Sequence, residues 1–157
     1  MNPRYIGQHR TGHIGCGPIA ILNVLKWVGV PTSYRKHYAK VAQMCDCIEG
    51  TQRSKFEYVL KHMAKGLFSV SPIRGPMLKE FYNIVDCGSA AVLLYFNGRC
   101  GHFCFIPEVQ GKKFICVNDD LKKTICKRSM KEMKRYFRFA YEEGVYFPKV
   151  WFIDKVI

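Results

Sequence analysis

Residues 16–28 constrain this chain most. The run Ile19-Ala20-Ile21-Leu22-Asn23-Val24-Leu25-Lys26-Trp27 is apolar except at Asn23 and Lys26. Wound as a helix, it shows apolar side chains around most of its circumference. Such a helix belongs at the centre of a fold, covered by other elements. Its boundaries are marked. Pro18 suits the first turn, where its missing N–H costs nothing, and Gly29 followed by Pro31 is a stop signal. Asn23 and Lys26 interrupt the run, and Ala90–Phe96 is only strand length, so no membrane span is expected.

The rest of the chain supplies the cover. Helical spacing predicts further helices over 33–46, 52–65 and 76–86. Thr32 or Ser33 is the N-cap candidate of the first. Phe56, Val59, Leu60 and Met63 form the apolar stripe of the second. The texture then changes. Residues 90–96 read as a buried strand, Asn97-Gly98 as a turn, and 102–106 and 113–117 as two more strands joined across Gln110-Gly111. A helix over 129–139 and one or two strands over 145–153 close the chain. Helices first and an antiparallel sheet afterwards argue an α+β class. The 157 residues, 48% hydrophobic with 11 Phe, 9 Tyr and 2 Trp, suit one domain over 1–157 that folds without disulfides.

The central helix starts on a cysteine. In Gly15-Cys16-Gly17-Pro18, Cys16 stands where unpaired N–H groups and the helix dipole favour a thiolate, and Gly17 leaves the adjoining backbone uncrowded. A nucleophilic cysteine needs a base, and the base needs an orienting group. Of five histidines, His102 is the best base: it begins an apolar strand directly after Cys100-Gly101. His9 and His13 fall in an irregular lead-in over residues 1–14, and His37 and His62 on helix surfaces. Phe114-Ile115-Cys116-Val117 runs into Asn118-Asp119-Asp120, so acidic and amide groups emerge one strand over. Asp119 is the first choice to accept the imidazole N–H and Asn118 the second, because alternation leaves the register open by one residue. Gln8, eight residues before the cysteine, and the Cys16 N–H are the expected oxyanion donors.

Gln8, Gly15-Cys16-Gly17-Pro18-Ile19-Ala20, Asn23-Val24-Leu25, Gly101-His102-Phe103 and Val117-Asn118-Asp119 together resemble the papain-like cysteine peptidases. The pattern is most similar to the branch of double-glycine leader peptidases found on bacteriocin exporters, although Asp119 is followed by Asp120 rather than proline. The resemblance implies a papain-like fold with a helical lobe carrying Cys16 packed on a sheet carrying His102 and Asp119. It implies Cys16 as nucleophile, His102 as base, Asp119 as orienter and Gln8 as oxyanion donor. The expected activity is hydrolysis of a peptide or isopeptide bond in a protein or peptide substrate through an acyl-enzyme. Acyl transfer or glutamine deamidation by the same residues is the alternative within enzymes.

Charge adds a second class. With Lys and Arg at 25 against 12 Asp and Glu, the net charge is +13. It attracts acidic partners, an acidic substrate among them, while a solvated surface is the favoured reading of the basic residues. A nucleic-acid or acidic-protein binding module on a silent fold is the less favoured competitor. Lys122-Lys123, Lys127-Arg128 and Lys131, Lys134 and Arg135 read as one basic helix face. Residues 1–10 lack the apolar core of a signal peptide, so eight cysteines suggest reduced thiols in a cytoplasm. Cys45-Asp46-Cys47 and Cys100…Cys104 do not have the spacing of paired zinc ligands, and no metal or cofactor is called for.

Overall fold

Ala90–Phe96 alternates its side chains between two separate cores. Ala90, Val92 and Leu94 enter one, and Ala91, Leu93 and Tyr95 the other. A strand buried on both faces reads as an unbroken apolar run, which is how the sequence shows it. This is strand β2 of a six-stranded antiparallel sheet in a computed structural model that describes residues 4–12, 15–47, 51–120, 122–138, 140–142 and 145–156. The other strands of that sheet are β1 (Phe68–Arg74), β3 (Gly101–Gln110), β4 (Lys113–Asp120), β5 (Lys123–Arg128) and β8 (Lys149–Lys155). Their order is β1-β8-β2-β3-β4-β5, and a separate hairpin pairs β6 (Ala140–Glu142) with β7 (Val145–Phe147).

Helices α1 (Cys16–Trp27), α2 (Tyr34–Met44) and α3 (Arg53–Ala64) cover one face. Helix α1 is buried at every residue from Cys16 to Leu25, because it lies between the sheet and the other two helices. The opposite face holds α4 (Leu78–Asp86), the single turn α5 (Met130–Met133) and a 3-10 turn over Lys134–Phe137. Ser33 caps α2 by accepting from the Lys36 N–H, as its position predicted. The α+β class is as expected.

Three sequence expectations change. Strand β1 falls where no element was predicted. The basic cluster divides, with Lys123, Lys127 and Arg128 on edge strand β5. The helix expected over 129–139 is a four-residue α turn continued as a 3-10 turn, residue 139 lying outside the described residues.

Candidate active site

Cys16 is the first residue of α1, and 6% of its surface is exposed. Its sulfur accepts from the backbone N–H groups of Phe103 and Gly17. The Phe103 contact sets the nucleophile candidate against the start of β3. Phe103 is fixed from below by Phe56 of α3, stacked at 4.3 Å between ring centroids, and by Trp151 of β8 at 5.9 Å. Trp151 donates its indole N–H to Glu57 at 2.8 Å, which ties α3 to β8 in turn. Gly17 proves to be required by close packing rather than by open approach: a Cβ there would fall 2.6 Å from the Thr51 hydroxyl oxygen.

The expected resting thiolate does not arise. Burial pushes the Cys16 thiol up to about 11, against the pull of the Phe103 and Gly17 N–H groups. Desolvation of the charged form outweighs the helix start here. Cys16 on its own is therefore a neutral thiol at pH 7, and needs a base at the moment of attack.

His102 begins β3 behind the Asn97–Cys100 turn, in which the Asn97 side chain accepts from the Arg99 and Cys100 N–H groups. Gly101 is needed in front of it, since a Cβ would come within 3.0 Å of the Phe147 ring. His102 is buried and packs edge-on against Tyr95, its register partner on β2, at 5.5 Å. Its Nε2 lies 2.8 Å from the Asn118 backbone carbonyl. A carbonyl only accepts, so this contact places the proton on Nε2 and makes Nδ1 the basic nitrogen.

The carbonyl reaches the ring because β4 bulges. Val117 pairs with Ile125 and Asp120 with Lys123, which leaves one extra residue on β4. Asn118 takes the strain with φ of 63°, a left-handed conformation that asparagine tolerates better than most residues. The imidazole contact expected from the Asp119 carboxylate is thus made at this strand end by the main chain of the preceding residue. Asp119 faces elsewhere. Its Oδ1 accepts from the Tyr95 hydroxyl at 2.7 Å, and its Oδ2 from the Tyr136 hydroxyl at 2.6 Å and Arg128 Nε at 2.8 Å. Burial pushes this carboxyl up, but the three donors outweigh it and hold it below its usual range. Asp119 holds the hydroxyl of Tyr95, whose ring packs on His102.

Asn118's side chain, the second choice for orienter, does different work. Its Oδ1 accepts from the Gln8 N–H at 2.8 Å, and its Nδ2 donates to the Ile6 carbonyl at 2.8 Å. Asn23, the interruption in the apolar run of α1, completes the clamp. Its Oδ1 accepts from Ile6 N–H at 2.8 Å and its Nδ2 donates to Ile6 O at 3.1 Å. Two buried amides thus substitute for a strand and hold the lead-in against the core. This puts Gln8, 1% exposed, into the molecule. Its Nε2 donates to Gly12 O at 3.0 Å, and its Oε1 has no partner among the described residues. A primary amide has two N–H donors, so one remains beyond the Gly12 bond.

His37 accepts from the Ser33 N–H on α2, His62 stacks on Tyr58, and His13 lies outside the described residues. Cys104 and Cys116 are core thiols in mutual contact. Among the described residues, no cluster of side chains could hold a metal ion. No helix is long and apolar enough to cross a membrane among them. A cleft of about 620 Å³ opens beside His102, walled by Tyr95, Phe96, Tyr136, Arg128, Arg135 and Lys122, with Cys16 outside its wall.

No family model and no curated protein matches the sequence. Solved structures match the fold. The peptidase domain of Streptococcus ComA, a bi-functional ABC transporter involved in a quorum-sensing pathway, aligns with a TM-score of 0.68. The two share 17% identity over 98% of this chain and 99% of that one. A double-glycine motif protease from an AMS/PCAT transporter, solved in complex with the leader peptide, aligns at 0.60 and 17% identity, covering 98% and 93%. The Streptococcus mutans ComA peptidase domain with a small-molecule inhibitor aligns at 0.57 and 16%, covering 96% and 98%. The chain has the papain-like fold of these peptidase domains, as its motifs implied.

Proposed function

We propose that this chain is a cysteine peptidase that cleaves a peptide substrate through an acyl-enzyme on Cys16. One observation carries the reading. The Cys16 sulfur lies against the Phe103 N–H, one residue from a histidine whose Nε2 meets a main-chain carbonyl. The peptidase fold of the similar structures supports it, and the leader peptide bound to one of them supports a peptide as substrate.

In this reading His102 Nδ1 takes the Cys16 proton as the sulfur attacks the scissile carbonyl. The Asn118 carbonyl holds the ring by its Nε2–H and stabilises the imidazolium that forms. The free N–H of Gln8 and the Cys16 backbone N–H receive the oxyanion; a donor of this kind is worth about 3 kcal/mol. His102 then protonates the leaving amine, and water, deprotonated by His102, releases the acyl half. Asp119 is a positioning residue, acting through Tyr95. The eight cysteines are free thiols, which suits a cytoplasmic setting.

The test is incubation with a pool of synthetic peptides, read by mass spectrometry, beside exposure to a peptidyl vinyl sulfone. New peptide termini that disappear in Cys16→Ala, and an adduct located on Cys16, are expected. Absence of both contradicts the reading.

A further inference from the structure

The cleft beside His102 has no role in the chemistry described so far. The acyl half of a substrate is bonded to Cys16, and the amine half takes its proton from His102. The cavity has His102 in its wall and Cys16 outside it. Its walls are aromatic and charged, with Lys122, Arg128 and Arg135 set against Asp119 and Asp120. Tyr95 and Tyr136 stack at 4.3 Å between centroids. Asp119 is consumed by Arg128 and the two tyrosine hydroxyls. Arg135 gives one N–H to the Tyr136 hydroxyl at 2.6 Å and is otherwise exposed, with four of its five N–H donors free of that bond. Lys122 is exposed on the same rim, where Asp120 accepts from the Lys122 backbone N–H and not from its ammonium.

We propose that this cleft holds the residues that follow the scissile bond, and that Arg135 and Lys122 select acidic side chains there. The proposal rests on the reading of Cys16 and His102 as the reacting pair. It assigns specificity to a small part of the +13 charge. Lys131 and Lys134, which the sequence groups with Arg135, do not line the cleft.

Binding isolates this from turnover. The 157-residue chain carrying Cys16→Ala is titrated with short labelled peptides that share an aromatic residue and have free N-termini. Their first residues are acidic, neutral or basic, and anisotropy is read. The acidic peptide should bind about fivefold tighter than the neutral one, the size of an exposed ion pair. Arg135→Glu or Lys122→Glu should remove that preference. Lys122→Glu guards against a folding defect, because the Lys122 ammonium, unlike Arg135, makes no bond that the fold uses among the described residues. No binding by any peptide, or a preference that survives both reversals, overturns the proposal. The vinyl sulfone adduct on the native protein is read separately. Its presence leaves Cys16 as nucleophile even if the cleft proves unselective, and its absence removes the reading beneath.

Discussion

Asn118 serves three partners at once: its carbonyl meets His102, and its amide holds Gln8 and Ile6. Asn118→Ala keeps the carbonyl and removes the clamp. It leaves the buried Gln8 N–H without this acceptor, at about 1–3 kcal/mol, while Ile6 O keeps the Asn23 amide as donor. We expect destabilisation of about 1–3 kcal/mol in urea unfolding, together with a loss of peptide cleavage because Gln8 is released. Asn23→Ala should resemble it in stability. Asp119 predicts a pH effect. Its carboxyl is held below its ordinary value of about 3.9, so its stabilising contribution is full above that value and is lost as pH falls through the lower folded-state value. The stability gap between the native protein and Asp119→Asn should be widest near neutral pH and close in acid. A gap that is constant from neutral to strongly acidic pH contradicts the assignment. Sequence reading named Cys16, His102 and Gln8 by motif and put Asp119 in the imidazole's path. It missed the carbonyl because only the bulge, with Asn118 in a left-handed conformation, turns that group toward the ring.

Strand β5 and the short turns after it supply Arg128, Arg135 and Tyr136 to the cleft wall. The Ser129 hydroxyl accepts from the Glu132 N–H, and the Glu132 carboxylate accepts from the Ser129 N–H, a reciprocal cap that starts α5. Ser129→Ala should cost about 1 kcal/mol in thermal or urea unfolding and loosen Arg135 and Tyr136, so acidic-peptide binding should weaken with it. An unchanged stability would mean the cap is irrelevant. These elements were the least legible in the sequence, for a physical reason. β1, Phe-Ser-Val-Ser-Pro-Ile-Arg, fully buries only Phe68, and β5 is half-exposed along its length. Edge strands exist because a neighbour pairs with them, and they need no apolar pattern of their own. α1 and β2 were legible because each is enclosed on all sides, which leaves its mark in composition.

At the scale of the whole molecule, the positive charge is spread over both faces, and the cleft uses only Lys122, Arg128 and Arg135. Acidic-peptide binding should weaken as salt rises, since exposed charges are screened over about 8 Å at physiological ionic strength. Replacing Lys131 and Lys134 by Glu should lower overall affinity slightly and leave the acidic preference intact. In the proposed mechanism, attack by Cys16 depends on the coupling between one helix start and one strand start. It is tested most directly by the rate at which a peptidyl vinyl sulfone inactivates Cys16 across pH, in the native protein and in His102→Ala. With His102 as base, the native protein should react rapidly at neutral pH. The variant should react only as pH climbs toward about 11, where the buried thiol ionises unaided. Two superimposable profiles would contradict the claim that His102 activates Cys16.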